Sequence, residues 1–149
     1  MDSAPADPFD LQRFVEAQKG TYAHALAELR AGRKQTHWIW FVLPQVNGLG
    51  TSGMSMRYGI KSLEEARAYL AHQLLGARLR ECISTLIALP HSDAAAVLGT
   101  IDAVKFRSCL TLFAAADAKE PLFTAALSKY FRGTPDEATL SILAAGDTA

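Results

Sequence analysis

The segment His37-Trp38-Ile39-Trp40-Phe41-Val42-Leu43-Pro44-Gln45-Val46-Asn47-Gly48-Leu49-Gly50-Thr51-Ser52-Gly53-Met54-Ser55-Met56-Arg57-Tyr58-Gly59-Ile60 decides whether this chain carries an α/β nucleotide-binding unit or folds as a helical domain. Its first seven residues are aromatic and β-branched and stop at Pro44, which predicts a short strand buried on both faces. Gly48-x-Gly50-x-x-Gly53 then matches the dinucleotide-binding fingerprint. Its context excludes that reading. Pro44 to Asn47 separate the strand from the first glycine, Gly59 interrupts the stretch where a helix should begin, and no second strand follows. With four glycines (48, 50, 53 and 59), residues 47–60 are predicted to form a long ordered loop. Loops of this length are usually functional or disordered, and clustered backbone N–H groups beside Arg57 would suit a phosphate. A plain structural loop is the alternative.

Outward from this segment the pattern is helical. Leu11, Phe14, Val15, Tyr22, Leu26 and Leu29 recur at helical spacing, with Asp10 as the expected N-cap, a break at Gly20-Thr21 and a stop at Gly32. On the other side, Ser62-x-x-Glu65 is a capping box, and the apolar stripe it opens is predicted to run on to Pro90. Ser92 or Asp93 caps a short helix ended by Gly99. Asp102 is placed to cap the next helix, whose stripe is Phe106, Leu110 and Phe113. Pro121 suits a first helical position, and Thr134-Pro135-Asp136-Glu137 reads as a second capping box. The expected fold is mainly α: one compact multihelical domain over residues 9–146, with a short aromatic strand and a glycine-rich loop, after a flexible segment 1–8.

Composition narrows the function classes. The 149 residues carry 15 basic and 15 acidic side chains, balanced in both halves, so no global field draws nucleic acid or a membrane surface. The longest apolar run, Trp38 to Leu43, is far short of the ~20 residues that span a bilayer. The start Met1-Asp2-Ser3 lacks a basic n-region, and a cytoplasmic location is expected. Cys82 and Cys109 read as buried small hydrophobes rather than a disulfide framework. His24, His37, His72 and His91 show no metal-ligand spacing, so no metal and no cofactor is expected.

Candidate site residues come from what structure leaves unexplained. His37, between a basic turn and two tryptophans, would serve as an acid or base near neutral pH; packing on an aromatic ring is the alternative. Trp38 and Trp40 share one face of a strand and His37, Ile39 and Phe41 the other, so at most one group can line a pocket, and the His37 face is the favoured one. His72 and His91 fall at predicted helix boundaries, where capping or solvation is expected. Asp102, Lys105 and Ser108 present a carboxylate, an ammonium and a hydroxyl at one-turn intervals, suited to a polar ligand or to an ordinary cap and ion pair. Glu65 has a capping role, whereas Glu64 has none.

The combination His37-Trp38-Ile39-Trp40-Phe41, Pro44-Gln45, Gly48-Leu49-Gly50, Ser55, Tyr58 and Asp102-x-x-Lys105-x-x-Ser108-x-x-Thr111-Leu112-Phe113 resembles the DUF 1810 family of uncharacterised bacterial proteins, from about Asp7 to Phe131. Members of that family more usually have proline where this chain has Gln73. The resemblance implies a mainly helical domain and brings no established reaction. Some members carry the label calpastatin, a cysteine-protease inhibitor, but inhibitors of that type are disordered repeats, unlike this composition. The family is also remotely similar, in helical layout, to the group of the riboflavin-intermediate N-glycosidase, some of whose relatives act on ADP-ribose linkages. That group's Ser-Glu pair is echoed here only by Ser62-Leu63-Glu64.

The leading expectation is therefore a domain that binds or hydrolyses a nucleotide-like or ADP-ribose-like small molecule. N-glycosidic hydrolysis needs a carboxylate at the reacting carbon, a role assigned to Glu64 or Asp102. His37, Lys105 and the backbone from Gly48 through Gly50 to Ser55 are assigned leaving-group or phosphate contacts, Trp40 or Tyr58 ring stacking, and Gln45 and Ser108 further ligand contacts. The alternative is a non-catalytic structural or protein-interaction domain, with the aromatic segment and glycine loop serving only its core.

Overall fold

The computed structural model describes residues 6–147, and among them it contains ten helices. The first is α1 (Gln12–Gln18), followed by α2 (Tyr22–Arg30), α3 (Ile39–Val42), α4 (Gly53–Tyr58) and α5 (Leu63–Ala71). Then come α6 (Gln73–Ile87), α7 (Ala94–Leu98), α8 (Thr100–Ala116), α9 (Pro121–Phe131) and α10 (Glu137–Asp147). The architecture is mainly α, with one isolated parallel bridge, Val46 to Ile60, as the described β pairing.

The aromatic strand is not formed. Residues 39–42 make a single helical turn, with Val42 N–H on the Trp38 carbonyl at 3.1 Å and Leu43 N–H on Ile39 at 3.1 Å. A buried strand needs a neighbour for its backbone groups, and every element packed around this segment is a helix. The turn satisfies those groups internally, and the Gln18 amide donates to the otherwise orphaned Phe41 carbonyl at 2.7 Å. The consequence for the site is geometric: residues two apart on a helix point to different sides. Trp38 is wholly buried while Trp40 is half-buried.

The glycine-rich stretch also departs from expectation, because its second half is α4. Ser52 opens that helix by accepting the Ser55 N–H at 3.1 Å. The bridge closes the loop, with Asn47 N–H on Ile60 O at 2.7 Å and Ile60 N–H on Gln45 O at 2.9 Å. Here Gly59 is required by space, since a Cβ would lie 2.6–2.8 Å from Asn47.

The N-terminal cap is Asp7 rather than Asp10. Its carboxylate accepts from Leu11 N–H at 2.8 Å and Gln12 N–H at 2.9 Å, while Asp10 takes a positive φ of 52°. Residues 1–5 of the segment expected to be flexible lie outside the described residues. The helix expected from Ser62 to Pro90 is two helices broken at His72, whose Nδ1 accepts from Leu74 and Leu75 N–H, both at 3.2 Å. Gln73, where proline is usual in the resembling family, is the first residue of α6, the position at which proline costs a helix nothing. Asp102 does not cap α8: that helix begins at Thr100 and puts Asp102 inside its first turn. Asp136, not Thr134, caps α10, accepting from Thr139 N–H at 2.9 Å.

α8 is the central element, contacted by α3, α5, α7, α9 and α10. Phe106, Cys109, Leu110, Leu112 and Phe113 on it are fully buried, as expected of a helix surrounded by others. Beside this core the buried Arg13 ties three elements together. Its guanidinium donates to the carbonyls of Phe9, Asp10, Arg57 and Gly59 and to Glu65 Oε2 at 2.7 Å. The Arg13–Glu65 pair thus fixes the end of α4 against α1 and α5. No described helix is long and apolar enough to cross a membrane.

Candidate functional site

A cleft of about 450 Å³ opens between Trp40 of α3, the segment Gln45 to Gly50, α4, the N-terminal half of α8 and the start of α10. Its walls are largely apolar, with Val46, Leu49, Ile101 and Val104 among them, and its polar groups are few: Gln45, Ser55, Thr100, Lys105, Ser108 and Asp136, with Tyr58 at one wall. A concave apolar site of this size with convergent polar groups is the ordinary form of a small-molecule site.

Of the residues singled out in the sequence, Trp40, Gln45, Gly50, Ser55, Tyr58, Lys105 and Ser108 line this one cleft. They come from positions up to 68 apart in the chain. Gly48 is exposed and outside the lining, as are His37 and Glu64. The His37 face of the aromatic segment therefore does not line the cleft. The helical turn sends Trp40 there instead, while Ile39 and Phe41 go to the core.

From the cleft wall at Trp40 and Lys105 an array of alternating partners runs back into the protein. The Lys105 ammonium sits 3.8 Å from the centre of the Trp40 ring and 3.2 Å from Asp102 Oδ1. Asp102 Oδ2 is 2.8 Å from the ammonium of Lys34, whose side chain is only 7% exposed and lies 5.0 Å from the Trp38 ring centre. One carboxylate thus serves two ammonium groups, leaving a surplus positive charge whose cleft-facing member is Lys105. A lysine on a tryptophan face is held by the ring quadrupole, worth about 0.5–2 kcal/mol as exposure falls.

Behind this array Glu28 fixes the backbone that carries it. Its carboxylate accepts from Gln35 N–H (2.8 Å), Thr36 N–H (3.1 Å), the Thr36 hydroxyl (2.6 Å) and the Trp38 indole (2.9 Å). Burial works against its charge, but these hydrogen bonds outweigh burial and hold its pKa down at about 2. Glu28 had no signal in the sequence beyond helical spacing.

The hydroxyls are partly committed. Ser108 donates to Val104 O at 3.2 Å, Ser55 donates to Ser52 O at 2.9 Å, and Tyr58 accepts from Arg57 Nε at 3.2 Å. The Gln45 carboxamide bonds to no described side chain or backbone group, so both its donor and its acceptor are free for a ligand. Asp136 is the lining residue that sequence reasoning absorbed into a capping role. Its Oδ2 accepts from Thr139 N–H and hydroxyl, and its own N–H donates to Thr111 Oγ1 at 2.8 Å. Oδ1 remains uncommitted.

Nucleophilic cysteine chemistry is disfavoured. Cys82 and Cys109 are free and buried, and burial pushes the Cys82 thiol up to about 12 and Cys109 well above its ordinary value. Among the described residues no three His, Cys, Asp or Glu side chains come together to hold a metal ion.

The family model for a protein of unknown function, DUF1810, matches residues 8–143, nearly all of the helical body and every residue of the cleft. The chain belongs to the DUF1810 family. It is similar to a conserved hypothetical protein, Rv1873 from Mycobacterium tuberculosis, known from a crystal structure: 49% identity over 93% of this chain and 99% of that one, with a TM-score of 0.91. No curated protein matches the chain. These likenesses establish a family and a fold that carry no assigned reaction.

Proposed function

We propose that this DUF1810 chain binds a small, nucleotide-like molecule with a flat apolar body in the cleft between α3, α4, α8 and α10. The observation that carries the reading is the Lys34–Asp102–Lys105 array, which has one more ammonium than carboxylate and sets Lys105 on the face of Trp40 in a cleft whose walls are largely apolar. Lys105 shares its one carboxylate partner with Lys34 and is still partly exposed toward the cleft, so an anionic group on a ligand would complete its pairing. ADP-ribose, NAD and plain nucleotides combine such a group with a flat ring.

Binding is better supported than N-glycosidic hydrolysis. Asp102 is tied between two ammonium groups and stands outside the lining, and Glu64 is exposed on α5. Neither is placed to meet a reacting carbon held in the cleft.

The test is thermal unfolding of the protein with ADP-ribose, NAD, riboflavin precursors and simple nucleotides. A ligand that binds only the folded state adds stability, about 2.7 kcal/mol at a hundred times its Kd. The expected result is a rise in Tm with at least one of these, abolished in Trp40→Ala and Lys105→Ala and retained in His37→Ala. If none raises Tm at millimolar concentration, the small-molecule reading is wrong and the exposed apolar Ile101 and Val104 at the mouth turn the search to protein partners.

A further inference from the structure

We infer, resting on the binding site proposed above, that the ligand is amphoteric: an anionic group at the Lys105 end of the cleft and a hydrogen-bond donor, such as an exocyclic amine, at the Asp136 end. The two ends are set by α8 itself. Lys105 marks one, and Thr111, whose hydroxyl accepts the Asp136 N–H at 2.8 Å, marks the other. Six residues of α-helix separate them, about 9 Å at 1.5 Å per residue. Between these two positions α8 presents Ser108 to the cleft, and the facing lining includes the apolar Val46 and Leu49.

Among the described residues Lys105 and Asp136 form no ion pair with each other. Lys105 stands 3.2 Å from Asp102, but Asp102 is shared with the more deeply buried Lys34. Asp136 is the one carboxylate among the residues lining the cleft. Its Oδ2 is spent on Thr139, and Oδ1 takes no hydrogen bond from any described residue. An ionised carboxyl oxygen accepts and cannot donate, so it selects a donor and repels an acceptor. The free Gln45 carboxamide, able to donate and accept, adds hydrogen bonding without a sign preference.

Three probes separate these elements by titration calorimetry: adenosine monophosphate, which has both the anion and the amine, inosine monophosphate, which replaces the amine by a carbonyl, and adenosine, which lacks the anion. Adenosine monophosphate is expected to bind about tenfold more tightly than either of the others, the worth of one charge-assisted hydrogen bond. Lys105→Met should erase the preference for the phosphate. Asp136→Asn keeps an oxygen for the Thr139 cap, so Tm should hold, while an amide in place of Oδ1 should abolish or invert the preference for amine over carbonyl. Equal binding of the three probes, or variants that keep both preferences, would overturn the amphoteric ligand and leave the binding site standing. So would binding of other molecules in the wider screen with none of these three binding. Absence of binding by every compound overturns the site and this inference together.

Discussion

At the scale of single residues, this protein concentrates its polar investment in a few buried groups, each with a full set of partners. Arg13 is the clearest case, since five hydrogen bonds to four carbonyls and Glu65 leave its guanidinium neither exposed nor unpaired. Both side chains of the pair are at most 6% exposed. Removing one partner strands the other charge in a dry site, at a cost of about 3–5 kcal/mol. Glu65→Ala should therefore lower stability by that much in urea denaturation, far beyond the ~1 kcal/mol of a lost cap. A loss near the cap value alone would show that Arg13 finds other compensation. The same scale shows what the sequence could reveal of the site. Trp40, Lys105 and Ser108 were legible as a stacking ring and a polar stripe at one-turn spacing, and Gln45, Ser55 and Tyr58 through the motif shared with the family. Asp136 was hidden because it has a capping duty: its Oδ2 holds the start of α10 while the residue also lines the cleft. Lys34 was visible only as part of a basic turn, since its partner Asp102 lies 68 positions along the chain.

At the scale of elements, helix boundaries written in local chemistry were legible, and those set by tertiary contacts were not. Ser62, Asp93 and Pro121 act where the sequence puts them, because a cap or a first-turn proline is decided within four residues. The segment 39–42 has strand propensity but no strand to pair with, and backbone satisfaction overrides propensity. The break at His72 was missed for a related reason. A continuous apolar stripe conceals it, and what makes the bend possible is Gly76, where a Cβ would stand 2.1 Å from the Leu70 carbonyl oxygen. Two tests follow at this corner. His72→Ala removes the acceptor for two orphan N–H groups at the start of α6 and should cost about 1 kcal/mol, whereas His72→Asn, itself a good cap, should recover most of it. Equal losses in both variants would mean that the imidazole acts through packing and not through Nδ1.

At the scale of the whole molecule, a balanced surface charge leaves acid stability to the few carboxylates whose folded environment differs from the unfolded chain, and Glu28 is foremost among them. Its four hydrogen bonds tie α2 to the segment carrying Lys34 and Trp38, so its ionisation is coupled to the array that ends at Lys105. The folded carboxyl has a pKa of about 2 against an ordinary value of 4.5. A depressed pKa means that, as pH falls below the ordinary value, the unfolded chain takes up a proton that the folded protein does not. Stability contributed by Glu28 is then complete above about pH 4.5 and drains away toward pH 2. Glu28→Gln cannot take part in this titration. Denaturation followed from pH 6 to pH 2 should show the variant less stable than the parent at the upper end, because an amide cannot accept all four bonds as a carboxylate does. The two curves should converge as pH falls through the window, and a constant gap across it would mean that Glu28 titrates in the folded protein as it does in the unfolded chain.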